Sequence, residues 1–211
     1  MRVPTARRVA RRLLRGRNVP APLRPALAQL GRGKLAVDCG ANVGDVTVLL
    51  ARTGAEVIAF EPNPVAFERL RTRCARMRNV RCIPAAVAVA DGSAPLFLHE
   101  DDEIDPLRAS VGGSLLREKR NVNPARWIDV VTVDLDAFLA QHAPVAALKL
   151  DVEGAEVEIL ERLLETGRLL DVGAVVVEMH DWHTPELQAR GAIVREALAQ
   201  PRYAHVRLDW H

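Results

Sequence analysis

The sequence predicts an α/β protein whose core is one doubly wound, mostly parallel β-sheet. Three observations lead to this fold class. Apolar runs at 35–40, 56–63 and 145–153 lack the alternation of a strand with one face in water, so we expect helices on both faces of the sheet. Segments of helical length and periodicity separate these runs. The length of 211 residues favours a single domain.

The first half of the predicted fold alternates strand and helix from residue 35 onward. In chain order we expect a strand at 35–40, a helix at 45–54, a strand at 56–63, a helix at 64–77 and a strand at 80–89. Asn63 and Pro64 suit the N-cap and the first position of the second helix. Gly54 follows the first helix, as is typical of a helix end.

The second half adds strands around a polar loop and then returns to the alternation. We expect strands at 95–100 and 127–135 on either side of a loop at 101–126, a short helix at 136–141, a strand at 145–153, a helix at 155–167, a strand at 172–180, a helix from Thr184 to Gln200 and a last strand at 203–210. The crossovers between parallel strands should be right-handed.

Charge is distributed unevenly along the chain. Residues 1–34 hold ten of the 29 Lys and Arg and no Asp or Glu. The other 19 basic residues share 35–211 with all 27 acidic ones, which gives that part a net charge of −8. We therefore divide the chain into a basic N-terminal arm or helix at 1–34 and a main domain at 35–211. The arm would meet an anionic surface, act as a transit peptide or simply cover the domain.

The composition also bears on location. Cys39, Cys74 and Cys82 have neither paired nor metal-type spacing, so we expect free thiols in a reducing compartment. No apolar run reaches the length of a membrane helix, and the N-terminus lacks the apolar stretch of a secretory signal. We therefore expect a cytoplasmic protein without a transmembrane segment. Whether it forms a homo-oligomer is left open.

The segment VDCGANVG at 37–44 stands where the first strand should end. In a doubly wound sheet, ligands bind beyond the carboxyl ends of the strands, where the strand order reverses. Gly40 permits a tight turn, and Gly44 opens a helix whose free N–H groups suit a carboxylate or phosphate. The spacing does not match the G-x-G-x-x-G of dinucleotide sites. Asp38 suits a cationic ligand better than a pyrophosphate.

Glu61 stands at the end of the second predicted strand. A carboxylate at this position can accept both hydroxyls of a ribose. A ligand with a ribose, a carboxylate and a cationic group matches Glu61 together with the segment at 37–44, here called the glycine loop. S-adenosylmethionine has all three groups. In a purely structural alternative, the glycines only shape a turn and Glu61 caps the next helix.

The segment LKLDVEGAE at 148–156 forms a second dense group of polar residues. On a strand, Lys149, Asp151 and Glu153 share one side, and Glu178 and His180 share a side of the neighbouring strand. Neighbouring strands lie about 4.8 Å apart, so these side chains should converge on one pocket. Charged groups at the mouth of an apolar strand are costly to bury unless they are paired or used.

Three uses of this second group compete. The carboxylates can hold a cationic methyl donor, one of Asp151, Glu153 or His180 can act as general base on a substrate hydroxyl, or the set can bind a divalent cation. A salt-bridge network around Lys149 without a catalytic role is the structural alternative. No Cys or His pair has the spacing of a zinc site, so we assign no metal ligands.

Together these motifs resemble the FkbM family of S-adenosylmethionine-dependent methyltransferases. The matching segments, in order over residues 35–200, are VDCGANVGDVT, AFEPNP, AAVAVADG, VTVDLDAFL, LKLDVEGAEVEIL and VVVEMH. The D-x-E-G-x-E stretch at 151–156 is the most specific of them. The resemblance implies a class I methyltransferase fold, which is Rossmann-like, and O-methylation of a sugar or natural-product hydroxyl.

The resemblance also implies roles for individual residues. The expected cofactor contacts are Asp38, Gly40, Asn42, Gly44, Glu61, Pro62, Asn63, Ala86 and Asp151. Among them, Glu61 would bind the ribose and Asp151 would border the transferred methyl group. The residues expected to carry out the transfer are Lys149, Asp151, Glu153, Glu178 and His180.

The expected partner is a small molecule with a hydroxyl acceptor, and two alternatives stay open. One is an RNA methyltransferase that uses the basic arm, which is not part of the family pattern; the other is a non-catalytic scaffold with the same fold. An acidic mouth repels phosphates, so nucleic acid is the less favoured partner. An NAD-linked dehydrogenase is more distant because of the loop spacing. The fold usually ends in an antiparallel hairpin, and since the sequence stops after RLDWH, we expect one strand of that hairpin to be short or absent.

Overall fold

The computed structural model describes residues 19–101, 112–119 and 121–210. Its strands, in chain order, are β1 (Leu35–Cys39), β2 (Glu56–Phe60), β3 (Val80–Ile83), β4 (Ala86–Ala88), β5 (Gly92–His99), β6 (Val122–Asp134), β7 (Ala147–Leu150), β8 (Val175–Val177) and β9 (Val206–Arg207). Six of them form a sheet in the order β3-β2-β1-β7-β8-β9, with every neighbouring pair parallel. The predicted fold class is therefore confirmed.

Helices cover both faces of this sheet. They are α1 (Arg24–Gln29), α2 (Asp45–Ala51), α3 (Pro64–Cys74), α4 (Leu135–His142), α5 (Glu156–Glu165) and α6 (Pro185–Leu198). Val37 and Val175 belong to a core that includes residues of α4, α5 and α6, whereas Ala36 and Val176 belong to the core under α1 and α2. Successive strand residues thus enter opposite cores, which explains why the strands are apolar throughout.

The strand order reverses between β1 and β7. From β1 the chain moves to β2 and β3 on one side, and later from β7 to β8 and β9 on the other. The carboxyl ends of β1 and β7 therefore flank the crevice where ligands bind in open α/β sheets. The register places Asp38 of β1 beside Lys149 of β7.

The strand predicted at 80–89 is wrong as a single element. It divides at Pro84 into β3, in the main sheet, and β4, in a second sheet with the order β4-β6-β5. Proline has no N–H for a strand ladder, so the chain leaves the main sheet there. The division matters because it places Ala86 above the carboxyl ends of β1 and β2, where the cleft described below opens.

The predicted strands at 172–180 and 203–210 are also longer than the observed ones. β8 has three residues and β9 has two. Pro201–Tyr203 forms a 3-10 turn, because proline at its start favours a helical turn over strand pairing.

Part of the predicted arm packs on the domain. Ala21–Leu23 forms a 3-10 turn that leads into α1, and Leu23, Leu27 and Leu30 are fully buried. Residues 1–18 lie outside the described residues, so the division at residue 34 is kept as a proposal. Within the described ranges, no helix combines the length and the hydropathy that crossing a bilayer would need. The three cysteines are free thiols.

Candidate active site

An open cleft lies beyond the carboxyl ends of the central strands. The residues that line the cleft are Gly40, Asn42, Glu61, Pro62, Ala85, Ala86, Val87, Leu96, Gly113, Leu115, Asp151, Val152 and Glu153. Most of the expected cofactor contacts are among them. The exceptions are Asp38, Gly44 and Asn63.

Gly40 allows the ends of β1 and β7 to approach each other closely. Its φ is 75°, a left-handed conformation that glycine adopts without strain. A Cβ at this position would lie 1.7 Å from the carbonyl oxygen of Asp151. The carbonyl oxygen of Gly40 accepts a hydrogen bond of 2.7 Å from Nζ of Lys149. The floor of the cleft therefore requires glycine here.

Glu61 presents a buried carboxylate to the cleft. One oxygen accepts a hydrogen bond from the backbone N–H of Asn42 at 2.7 Å, and the other accepts one from the backbone N–H of Asn63 at 2.8 Å. Burial raises the pKa of Glu61 to about 7, although these two N–H groups favour the charged form. The carboxylate thus joins the glycine loop to the start of α3.

One wall of the cleft is apolar. Ala85, Ala86 and Val87 come from the segment that follows Pro84, and Leu96 of β5 and Leu115 stand beside them. A flat heteroaromatic ring matches a wall of this kind, since such a wall offers contact area without hydrogen-bonding groups from its side chains.

The three expected contacts outside the cleft shape the loops around it. Asp38 is fully buried. Gly44 precedes α2 with a φ of 89°, and a Cβ there would meet the side chain of Leu70 at 2.8 Å. Asn63 caps α3, where its side chain accepts hydrogen bonds from the N–H groups of Val65 and Ala66. We therefore infer that these residues act on a ligand only through the backbone they position.

Asp38 and Lys149 form a buried ion pair below the cleft. Nζ of Lys149 lies 3.7 Å from Oδ1 of Asp38, and Oδ2 accepts a 2.6 Å hydrogen bond from the hydroxyl of Thr47. Burial raises the pKa of Asp38, although Lys149 and Thr47 oppose this. Burial alone would lower the pKa of Lys149, but the charges of Asp38 and Asp151 outweigh it and raise that pKa.

We expect Lys149→Met to lower the free energy of unfolding by about 3–5 kcal/mol, because the carboxylate of Asp38 is then buried without its cation. Adding Asp38→Asn in the same chain should restore much of the loss, since the uncompensated charge is gone. Urea unfolding of the two single variants and the double variant at neutral pH measures this. A loss in the double variant equal to the sum of the two single losses would show that the pair is not coupled.

Asp151, Glu153, Glu178 and His180 converge, as the sequence predicts, and Asp151 and Glu153 also line the cleft. Nε2 of His180 lies 3.6 Å from Oε2 of Glu153 and 3.7 Å from Oε1 of Glu178. Oδ2 of Asp151 lies 2.9 Å from Nζ of Lys149. Burial and the charge of Asp151 raise the pKa of Glu178, and His180 opposes this.

Glu156 is a site residue that the sequence reasoning missed. Its fully buried carboxylate accepts hydrogen bonds from the backbone N–H groups of Val152 and Gly154, at 2.8 and 2.9 Å. Oε1 also lies 3.0 Å from Nδ1 of His180. The last acid of the D-x-E-G-x-E stretch was the signal that could have identified it.

A loop at 112–119 holds Glu153 in place. Glu153 has a φ of 62°, so it lies in a turn and not on the strand that the sequence predicts. Nζ of Lys119 donates to Oε2 of Glu153 at 2.6 Å, and the hydroxyl of Ser114 donates to its carbonyl oxygen at 2.5 Å. No motif marks Lys119, which lies 34 residues away from its partner in sequence.

Asp151, Glu178 and His180 also form a group of metal-binding character. One ligand atom from each lies within 4.8 Å of the others. Two carboxylate oxygens and an imidazole nitrogen are donors that several divalent cations accept.

Comparisons with known proteins identify the family of the chain. The profile of the Methyltransferase FkbM domain matches residues 38–207. A curated relative, the hexuronic acid methyltransferase AglP of Haloferax volcanii, is 29% identical over 143 residues, which make up 68% of this chain and 54% of the relative. The chain thus spans about half the length of that relative.

Among solved structures, an rRNA methylase from Streptococcus thermophilus is similar with a TM-score of 0.48 and 13% sequence identity. The match covers 88% of this chain and 84% of that one. A likeness at this level carries no argument about function.

Proposed function

The chain belongs to the FkbM methyltransferase family, and from this premise we propose that it transfers a methyl group from S-adenosylmethionine to a hydroxyl of a sugar or a related natural product. The observation that supports the proposal most is the make-up of the cleft. It is lined by the carboxylate of Glu61, by an apolar wall and by Asp151 and Glu153, and Glu153 lies 3.6 Å from His180.

The residues of the cleft fit S-adenosylmethionine. Glu61 offers two carboxylate oxygens for the ribose hydroxyls, and Ala86 with its neighbours offers an apolar surface for adenine. Asp151 supplies negative charge in the same cleft. When bound, S-adenosylmethionine supplies an electrophilic methyl group on a sulfonium. The carboxylates complement that positive charge. The same carboxylates would repel the negative charges of a pyrophosphate.

His180 is the residue that we expect to remove the proton of the acceptor. Its Nδ1 is engaged by Glu156, which leaves Nε2 to face the acceptor. The carboxylate of Glu156 orients the ring and stabilises the imidazolium that proton transfer creates. Burial alone would lower the pKa of His180, but the hydrogen bond and charge of Glu156, with the charges of Glu153 and Asp151, raise it to about 9.

We expect the rate of methyl transfer to rise with pH up to about 9. Only neutral imidazole accepts a proton, so kcat/KM should increase about tenfold per pH unit below this pKa and level off above it. Glu156→Gln should move this rise of kcat/KM to lower pH, because it removes the hydrogen bond and the charge that raise the pKa of His180. The rate of S-adenosylhomocysteine formation across a pH series measures the rise in the original chain and in the variant. A rise at the same pH in the two proteins would contradict the role of Glu156 and His180.

A sugar acceptor is the class that we favour. The Haloferax relative is named for hexuronic acid, and we extend a sugar acceptor from it to this chain as a proposal. A hexuronic acid carries hydroxyls and a carboxylate. The negative charges of Glu153, Glu178 and Asp151 disfavour the carboxylate of the sugar at the acceptor position. A hydroxyl of the sugar is therefore favoured as the group that receives the methyl.

The experiment that tests the proposal uses the full chain, S-adenosylmethionine and a panel of glucuronic acid, galacturonic acid, glucose and an RNA oligonucleotide. We expect S-adenosylhomocysteine with at least one sugar, and a product O-methyl resonance that survives mild alkali. A methyl group released by alkali would be an ester and would contradict transfer to a hydroxyl. Transfer to RNA alone, lost when residues 1–18 are deleted, would favour the RNA methyltransferase. Cofactor binding without turnover would favour the scaffold.

A divalent cation is the second candidate for the acceptor side, because Asp151, Glu178 and His180 bring three ligand atoms together. In that case His180 is a ligand and not a base, and the pH limb at its pKa should be absent. Turnover before and after dialysis against a chelator, with Mg²⁺ or Mn²⁺ added back, separates the two mechanisms. Full activity after chelation would reject the cation.

A further inference from the structure

The turn after β8 carries an exposed tryptophan next to the candidate base. Asp181–His183 forms a 3-10 turn directly after His180. Trp182 is 56% exposed, although tryptophan is highly buried on average. We propose that the indole of Trp182 is the platform on which the sugar ring of the acceptor stacks. The inference rests on the function proposed above and names a binding site for its substrate.

The position of Trp182 along the edge of the sheet places it on the acceptor side. Gly40 and Glu61 follow β1 and β2, Asp151 follows β7, and His180 follows β8. In the sheet these strands lie in the order β2-β1-β7-β8. The edge therefore runs from the cofactor contacts past Asp151 to His180 and Trp182. In an in-line transfer the acceptor approaches from the side opposite the departing sulfur, so a donor held by Gly40 and Glu61 would leave the acceptor towards the end of the edge that carries His180 and Trp182.

Ring contacts connect the indole to the candidate base. The ring centroid of Trp182 lies 3.9 Å from that of His183, which is buried. The ring of His183 is nearly parallel to that of His180, with centroids 6.2 Å apart. The exposed indole and the imidazole of His180 are therefore both neighbours of the His183 ring, and in the proposed complex one hydroxyl of the stacked sugar would lose its proton to Nε2 of His180.

The turn that presents Trp182 is firmly anchored on both sides. Asp181 is buried, and its carboxylate forms two hydrogen bonds with the guanidinium of Arg195 in α6. A Cβ on Gly191 would overlap this carboxylate, so α6 packs directly against the turn. Thr184, after the turn, caps α6 through a hydrogen bond from the N–H of Leu187. A surface held in this way loses little freedom when a ligand binds.

The chemistry of an indole suits a sugar ring. One face of a pyranose consists of C–H groups, while its hydroxyls project from the rim. Stacking would cover the apolar C–H face with the flat indole and leave the rim hydroxyls free for His180 and Glu178. A single exposed apolar side chain needs no explanation by itself, so the position beside His180 is what carries the inference.

Trp127 offers a matched control. It is 53% exposed, almost the same as Trp182. Trp127 of β6 pairs with Phe97, whereas Leu96, the next residue of β5, lines the cleft. Neighbouring residues of a strand point to opposite faces, so Trp127 lies on the face of this sheet that is turned away from the cleft.

Steady-state kinetics of Trp182→Ala, Trp182→Phe and Trp127→Ala with glucuronic acid test the proposal. We expect Trp182→Ala to raise the KM for the sugar about tenfold, while Trp182→Phe and Trp127→Ala stay within about twofold of the original chain. The dissociation constant of S-adenosylmethionine, measured by calorimetry, should not change in any of them.

Two results would overturn the proposal. One is a KM in Trp182→Ala within about twofold of the original chain; the other is an equal rise in Trp182→Ala and Trp127→Ala. If the original chain methylates no sugar of the panel, the proposed function itself fails, and the platform fails with it. Failure of the proposed function and failure of the platform alone are distinguishable, because the first is seen with the original chain before any variant is made.

Discussion

Asp151→Asn is expected to lower kcat about 10²- to 10³-fold, as the loss of one preorganised electrostatic group does in other active sites. Asp151 lines the cleft together with Glu61, and a carboxylate oxygen of Asp151 lies within 4.8 Å of ligand atoms of Glu178 and His180. In the proposed reaction its negative charge would complement the sulfonium, and it supports the protonated form of His180. Single-turnover assays with saturating S-adenosylmethionine measure the chemical step directly.

The fold should survive this substitution. The side chain of Asp151 is partly exposed, and Lys149 keeps its hydrogen bond to the carbonyl oxygen of Gly40 and its ion pair with Asp38. Asp136→Asn is the matched control, because Asp136 also pairs with a cation, Arg168, but lies outside the cleft. If Asp151→Asn is as active as Asp136→Asn, the carboxylate of Asp151 has no part in the mechanism.

Gly40→Ala is expected to abolish measurable binding of S-adenosylmethionine and to destabilise the fold. Alanine in the left-handed conformation costs about 1–2 kcal/mol. The new Cβ would also lie 1.7 Å from the carbonyl oxygen of Asp151, so β1 and β7 would have to separate at the floor of the cleft. Forced displacement of this kind typically adds about 1–3 kcal/mol. Calorimetric titration and urea unfolding measure the two effects.

Gly33→Ala and Gly167→Ala isolate the steric part of this effect. Both glycines have a φ close to that of Gly40, at 74° and 73°, and a Cβ on either would meet no atom within 4 Å. These variants should lose only the backbone cost and bind S-adenosylmethionine as the original chain does. If Gly40→Ala is as stable as these controls and binds S-adenosylmethionine as tightly, the close approach of β1 and β7 is contradicted.

Much of the fold follows from local sequence patterns. The alternation of apolar strands and helices predicts the parallel sheet, and the caps at Asn63 and Thr184 place two helix starts. The break at Pro84 was missed because a run of apolar residues continues on both sides of it. Only the second sheet, formed by pairing with β6, decides where Ala86 belongs.

Residues of the candidate site could be predicted from the sequence where a motif stands at the end of a predicted strand. Gly40, Glu61, Asp151 and His180 stand at strand ends, and the parallel sheet brings such ends to one edge. Asp38 was expected to face the donor. It is buried instead, because the register sets it beside Lys149 and its side chain points towards Thr47 of α2.

Side chains from irregular segments could not be foreseen. Lys119 reaches Glu153 from a loop that has no periodic pattern, and Glu153 itself leaves the strand with a positive φ. The contact of Glu156 with His180 depends on how α5 starts under the turn at 151–155, which a pattern of residues does not specify.

The most direct test of this account is a crystal structure of the chain with S-adenosylhomocysteine. We expect the ribose hydroxyls on the carboxylate of Glu61, the adenine against the wall at Ala86 and the sulfur directed towards Asp151. A ligand found outside this cleft, or one that leaves Glu61 without a contact, would contradict the assignment of the cleft to the methyl donor.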